Sequence, residues 1–337
     1  MRFCVVGAGS IGGFVGAKLS AAGEDVTLVA RGANLQAIRA HGMRVIMHDG
    51  SEFLADQAKA AATPAEAGPH DVVILGMKAH QVAAVSGEIA ALCHQDTVII
   101  PMQNGVPWWY FQRHGGEFEG RRVSSVDPDG ALAASVDPAR LLGCVVYPAC
   151  ELAAPGVVRH IEGDRFPLGE LDGSNSARAL AISETLARAG LKAPVLDNIR
   201  AEIWLKLWGN LTFNPISALT HSTLVDICQF PLTRDLAAGM MREAQAVASR
   251  LGITFRVTLE KRIAGAERVG KHKTSMLQDV EAGRDPEIDA LVGSVIEVGR
   301  IVGVPTPTIE AVYALVKLLA RTMRDERVYV RAHPFIG

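Results

Sequence analysis

The segment KLWGNLTFNPISALT, residues 206–220, places Lys206, Asn210 and Asn214 at four-residue intervals. On a helix each such step overshoots a full turn by only ~40°, so the three side chains form one stripe. Trp204, Leu205, Leu207, Trp208 and Leu211 occupy much of the remaining circumference. An ammonium and two carboxamides set among so much apolar surface need partners, because buried polar groups are costly when unpaired. A substrate carrying carboxylate, carbonyl or hydroxyl groups supplies such partners, and so does a structural hydrogen-bond network; the spacing alone allows both. Pro215 is expected to break the helix just after the stripe.

A second concentration of reactive side chains lies in TSMLQDVEAGRDPEID, residues 274–289. Ser275 suits a helix cap or an anion contact, and Asp279 and Arg284 either pair with each other or touch a ligand. Glu287 follows Pro286 at the start of a helical pattern, where a carboxylate serves as a cap or as part of a site.

The third signal is GAGSIG near the N-terminus, with Gly7, Gly9 and Gly12 in GxGxxG spacing and Ala8, Ser10 and Ile11 between them. The first glycine permits a tight turn and the second lets backbone amides approach a pyrophosphate. The third allows close helix–sheet packing. A bare match is weak in a chain with 33 glycines. Here it follows the apolar run RFCVV and precedes SIGGFVGAKLSAAG, a helix closed by Gly23, which is the context dinucleotide binding requires. The next apolar strand, DVTLVAR, ends at Arg31 with no carboxylate. A guanidinium there suits a 2′-phosphate, so NADP is favoured over NAD. Lys78, just past a third apolar strand, either adds charge near that phosphate or is a solvated loop lysine.

These groups need a scaffold, and the chain supplies two textures. HDVVILGMK (70–78) and DTVIIPMQNG (96–105) repeat the pattern of an apolar strand followed by a polar loop, with residues 79–93 expected to form a helix between them. That order is the opening of a parallel α/β sheet, whose ligands collect at the carboxyl ends of the strands. Residues 106–173 read as short strand-like pieces that complete the first domain. From Ile199 onward the periodicity turns helical over 199–213, 232–251, 257–268, 287–302 and 307–323. The expected fold is therefore an α/β Rossmann-type N-terminal domain, residues 1–196, followed by an all-helical C-terminal domain, residues 197–330.

Composition narrows the function further. With 34 basic and 36 acidic residues the net charge is −2, so no overall field attracts nucleic acid or an anionic membrane. No window approaches the ~20 apolar residues of a membrane span, and MRFCVVGAGS lacks the apolar length of a signal peptide. Five scattered cysteines without a CxxC point to a reducing cytoplasm, with Cys93, Cys144 and Cys150 as small core residues. His41, His80, His160, His221 and His272 show no HxH or HExxH spacing, so no metal is expected.

Taken together, GAGSIGG, GMKAHQ, PMQNG, KLWGNLTFNPISALT and TSMLQDVEAGRDPEID resemble, in that order, the ketopantoate reductase (2-dehydropantoate 2-reductase) family from Met1 to about residue 320. The resemblance implies a cytoplasmic NADP-dependent oxidoreductase of pantothenate biosynthesis, on the route to coenzyme A. Its helical domain is of the 6-phosphogluconate dehydrogenase C-terminal type, with the catalytic cleft between the domains and a homodimer as the assembly. By that resemblance Lys206 donates the proton to the ketone oxygen, and Glu287 holds substrate and nicotinamide ribose. Asn104, at the nicotinamide end, contacts both substrate and cofactor, Asn210 and Asn214 bind substrate, Ser275 meets the substrate carboxylate, and Arg31 and Lys78 contact the cofactor phosphate. The glycine loop Gly7–Gly12 cradles the dinucleotide. The implied reaction is hydride transfer from NADPH to C2 of a small 2-oxo acid, giving (R)-pantoate from ketopantoate.

Two features depart from the family pattern. A further substrate asparagine, ten residues beyond Asn214, is here Leu224, which cannot hydrogen-bond a terminal hydroxyl. An unpaired hydroxyl costs about 1–3 kcal/mol of binding, so reduction of a different 2-oxo acid is the alternative. The aromatic run Trp108–Phe111 either caps the active site or packs as core or subunit contact. A nonenzymatic NADP-binding protein is a rival of another class, but phosphate binding needs neither Lys206 nor Glu287. Dehydrogenases of β-hydroxyacids or 6-phosphogluconate share the architecture and a helical lysine, but not the QNG loop or the SMLQD…EID block.

Overall fold

In the computed structural model, which describes residues 1–332, the apolar runs RFCVV, DVTLV, HDVVIL and DTVIIP become strands. The elements in order are β1 (Arg2–Val6), α1 (Ser10–Ala21), β2 (Asp25–Val29), α2 (Gly32–His41), β3 (Met43–Ile46), β4 (Glu52–Ala55), β5 (Lys59–Ala61), α3 (Pro64–Ala67), β6 (His70–Leu75), α4 (Ala79–Val82) and β7 (Cys93–Pro101). After them come α5 (Ala131–Ser135), β8 (Leu142–Cys144), β9 (Ala149–Ala154), β10 (Val157–Glu162), β11 (Leu168–Glu170) and α6 (Ala177–Arg188). The central sheet has the order β5-β2-β1-β6-β7 and its paired strands are all parallel. Four of the five residues of β1 are buried, as expected of a strand covered on both faces. The chain reverses its direction of travel across the sheet between β1 and β6, and that switch point is where such sheets hold ligands.

The helix expected between β6 and β7 forms, as α4 continued by a 3₁₀ helix over residues 83–92. One part of this half differs from expectation. The segment VPWWYFQRHGG is turns rather than a strand, because its side chains serve as core. Trp108, Trp109, Tyr110 and Phe111 are all buried, and Tyr110 meets Phe111 edge to face with centroids 5.0 Å apart. The core reading of that run therefore holds. The later short strands do form, in a β4-β3-β10-β9 sheet and a β11-β8 pair.

The helical half consists of α7 (Ile199–Thr220), α8 (Leu224–Gln229), α9 (Pro231–Arg250), α10 (Leu259–Val269), α11 (Ser275–Glu281), a π-helical stretch Asp289–Gly293 leading into α12 (Ser294–Val302), and α13 (Pro307–Glu326). Contacts divide the chain into two compact units: one runs to Ile199, and the other runs from Arg200 onward and includes the loop segments Asn104–Pro107 and Val123–Val126. Pro215 does not end α7, contrary to the sequence expectation. A mid-helix proline costs about 3 kcal/mol. Ile216, Ser217 and Ala218 beyond it are nevertheless buried, and their packing carries the helix to Thr220. Among the described residues no helix is long and apolar enough to cross a membrane.

Candidate active site

The loop after β1 is shaped by glycine. Gly7 has φ +96, and a Cβ there would sit 3.1 Å from the backbone nitrogen of Met77. A Cβ on Gly12 would collide with the carbonyl oxygen of Gly7 and lie 3.0 Å from Val5 Cγ1. Gly76, at the end of β6, is equally restricted, its Cβ falling 2.8 Å from Gly12 Cα. Around Gly9, by contrast, nothing lies within 4 Å of an added Cβ. The Gly7 and Ala8 amides both donate to the Val29 carbonyl, at 3.0 and 3.2 Å, so they set the loop's shape. The amides that open α1 follow at once, with Gly9 as N-cap and neither a side-chain cap nor an acidic residue in the first turn. That is the environment a pyrophosphate requires: oriented N–H groups, the positive end of a helix and open space above the second glycine.

Around this loop, Arg31 is exposed just past β2, as the residue preceding α2, whose first turn also lacks acidic residues. Lys78 is half-buried at the start of α4, where its backbone N–H donates to Gln81 Oε1 at 3.3 Å. Two positioning residues escaped the sequence reading. Asn34 donates to the Ala8 carbonyl at 2.7 Å and accepts from the Gly156 amide at 2.7 Å, tying the glycine loop to a distant turn. Gln103 donates to the carbonyls of Leu75 and Met77, at 2.7 and 3.0 Å, fixing the loop that faces Gly7 and Gly12. Neither contact has a local signature; only the adjacency of Gln103 to Asn104 marked it.

In the second unit, the polar stripe of α7 meets the other residues singled out by sequence. Lys206 Nζ donates to Asn104 Oδ1 at 2.6 Å, and Asn104 Nδ2 lies 3.4 Å from Glu287 Oε2. Two turns further along, Asn214 Nδ2 lies 3.5 Å from Ser275 Oγ, while Asn210 stands half-buried between. Ser275 is not the cap of its helix: Thr274 accepts from the Leu277 amide at 3.3 Å and leaves Ser275 exposed in the first turn. Asp279 accepts from Arg284 Nε at 2.9 Å, so that pair is structural.

Asn104 is held in place by its neighbour. Gly105 has φ +92, and any Cβ there would overlap the Ala290 carbonyl; Val106 donates to that same carbonyl at 3.1 Å. Ala290 lies in the π-helical stretch, immediately after Glu287 and Ile288. The stretch is anchored through Asp289, which accepts from Tyr313 Oη at 2.7 Å and from Lys317 Nζ at 3.0 Å. Burial and the Asp289 carboxylate together raise the Tyr313 hydroxyl pKa, so it stays a donor. π-Turns concentrate at functional sites, and this one sits where Glu287 and Asn104 converge.

Leu224 is the first residue of α8, half-buried, with its amide donating to the His272 carbonyl at 3.1 Å. Burial pushes the Cys4 thiol up to about 12 and the Cys228 thiol up to about 11, so neither is a thiolate nucleophile at neutral pH. Among the described residues no cluster of His, Cys, Asp or Glu is arranged to hold a metal ion.

A parallel dinucleotide-type sheet followed by a helical unit carrying a lysine–amide–carboxylate chain defines a nicotinamide-dependent oxidoreductase. The ketopantoate reductase PanE/ApbA model matches residues 3–173 and its C-terminal counterpart matches residues 198–320, and the chain belongs to this family. It is 54% identical over 321 residues to the 2-dehydropantoate 2-reductase of Mesorhizobium japonicum, covering 95% of this chain and 98% of that one. A solved structure from Ralstonia solanacearum MolK2, provisionally named a ketopantoate reductase, superposes with a TM-score of 0.90 at 42% identity, covering 95% of this chain and 98% of that chain. The 2-dehydropantoate 2-reductase of Geobacter metallireducens GS-15 gives a TM-score of 0.82 at 27% identity, covering 94% of this chain and 99% of that chain.

Proposed function

We propose that this protein reduces 2-dehydropantoate (ketopantoate) to (R)-pantoate with NADPH, Lys206 acting as the general acid. The observation that carries this reading is the 2.6 Å hydrogen bond from Lys206 Nζ to Asn104 Oδ1. It ties the ammonium to the Asn104 carboxamide and so fixes the direction in which Lys206 reaches. Asn104 is in turn steadied by Glu287, 3.4 Å away. As C2 of a 2-oxo acid is reduced, negative charge gathers on its oxygen. An ammonium held at that oxygen stabilises the charge and then gives up a proton to form the hydroxyl. Asn210, Asn214 and Ser275 offer donors along the same face for the carboxylate and neighbouring oxygens.

The dinucleotide, when bound, supplies the hydride. The amides at the start of α1 would hold its pyrophosphate. Arg31, assisted by Lys78, would hold a 2′-phosphate, which favours NADP over NAD. Asn104 and Glu287 are proposed as further cofactor contacts, on the family resemblance. The work of a soluble enzyme on a small 2-oxo acid, in the cytoplasm and as a homodimer, belongs to the same proposal.

A second reading keeps the chemistry and changes the substrate. It rests on Leu224, whose side chain offers no donor and whose amide is already used by His272. A panel of 2-oxo acids assayed with NADPH and with NADH, for the unaltered protein and Lys206→Ala, separates the readings. The main reading requires ketopantoate and NADPH to be preferred, with turnover lost in the variant by at least roughly 100-fold. Undiminished turnover in Lys206→Ala removes the acid assignment. Ketopantoate ranking well below less hydroxylated acids selects the second reading.

A further inference from the structure

Gly209 stands three residues after Lys206 and one before Asn210, about 60° around α7 from Lys206 on the side away from Asn214. A Cβ on Gly209 would run into the guanidinium of Arg262, on α10, with Cζ 3.0 Å and Nε 3.5 Å away and Nη2 nearer still. The head group of Arg262 therefore lies against bare backbone, in space that only glycine leaves. The same flank of α7 is occupied one to two turns earlier by the buried Glu202, whose carboxylate accepts from Arg256 at 2.7 Å. The opposite flank is marked by Ser275 beside Asn214. Lys206 and Asn210 lie between these two flanks, so Arg262 borders the polar stripe across from Ser275.

We propose that Arg262 is a specificity-determining residue. Its guanidinium donates to an acceptor oxygen, hydroxyl or carboxylate, at the end of the 2-oxo acid remote from C1. The inference rests on the reading of the α7 stripe as the substrate face and deepens it. Arginine offers five donors in a rigid fork and does not deprotonate, so it binds without competing with Lys206 as a proton donor. It supplies the remote-end donor that Leu224 lacks. A hydrocarbon end offers the Arg262 guanidinium no acceptor, and a site built to hydrogen-bond discriminates against such analogues.

The test compares three acids with NADPH: 3-methyl-2-oxobutanoate, with a hydrocarbon end; ketopantoate, the same skeleton bearing a hydroxyl; and 2-oxoglutarate, bearing a second carboxylate. The readout is the ratio of kcat/KM for the better acceptor-bearing acid to that for the hydrocarbon acid. Arg262→Leu is expected to lower this ratio by roughly 10–100-fold, chiefly through KM. Arg262→Lys should retain part of the preference. Gly209→Ala keeps the charge but displaces the guanidinium from α7, and should move the ratio in the same direction with the fold intact by circular dichroism. An equal loss on all three acids, or an unchanged ratio, overturns the assignment of Arg262 alone. No turnover of any of the three by the unaltered protein overturns the reading of the α7 face and this inference with it.

Discussion

At the end of β1 the protein offers a ligand mostly backbone: Gly7 in a left-handed conformation, Gly12 with no room for a methyl group, and an uncapped first turn of α1. Along α7 it offers side chains instead: an ammonium and carboxamides on a helix whose other faces are buried, with the Ser275 hydroxyl of α11 beside Asn214. On the proposed reading, the first region recognises by shape and by the partial charges of fixed amides. On the same proposed reading, the second recognises and reacts through head groups that a single substitution deletes without disturbing the backbone. The two are therefore expected to fail in opposite ways: an added methyl should ruin the cradle, and a removed head group should ruin the α7 face.

The largest effect is expected in the cradle. Gly12→Val places a branched side chain where even a Cβ collides with the Gly7 carbonyl, and no flexible side chain is there to yield. NADPH binding, followed by its fluorescence, should weaken by at least ~100-fold as the loop is forced off its geometry. Near-normal binding would show that side-chain contacts, rather than loop shape, dominate there.

Lys206→Ala is the converse. Turnover should fall by roughly 100-fold or more while NADPH binding stays within ~3-fold, because the ammonium acts on charge that develops during reaction. A parallel loss of cofactor affinity would instead give Lys206 a binding role.

Gly105→Ala breaks the α7 site by the cradle's mechanism. Gly105 combines φ +92 with an approach to the Ala290 carbonyl that leaves no space for a methyl group. The change should cost about 1–3 kcal/mol of stability. It should also lower kcat/KM by roughly 10–50-fold, since Asn104 next to it must still meet Lys206 within hydrogen-bond distance. A thermal midpoint and kinetics on the same preparation separate the two effects. Lost stability with normal kinetics would mean that Asn104 does not position Lys206.

How much of this was legible in the sequence follows the same division. The glycine spacing declared the cradle because its requirements are local: strand, tight turn and helix within a dozen residues. The α7 stripe was legible as a puzzle, since periodicity placed Lys206, Asn210 and Asn214 on one face without naming their partners. Those partners are 102 residues away for Lys206 and 61 for Asn214, distances over which no pattern runs. Asn34 and Gln103 were invisible for the same reason: each acts on a backbone carbonyl that folding brings to it. Pro215 misled because propensity is local, whereas the burial of Ile216 and Ala218 that carries the helix past it is tertiary.

On the proposed reading, Arg31 is where the cradle departs from its own rule and relies on a side chain, and the smallest effect is expected there. Its guanidinium is exposed just past β2, so its attraction for a phosphate works against solvent and salt. Arg31→Ala should reduce the preference for NADPH over NADH by roughly 5–20-fold, with little change for NADH, which has no 2′-phosphate to lose. The loss should shrink as ionic strength rises, because a screened charge contributes less to begin with. Arg31→Asp should go further, repelling the phosphate and offering the ribose hydroxyls an acceptor, so that NADH becomes the better substrate. If both variants left the preference intact, the discrimination would have to come from Lys78 or from backbone. The cradle would then bind by shape throughout.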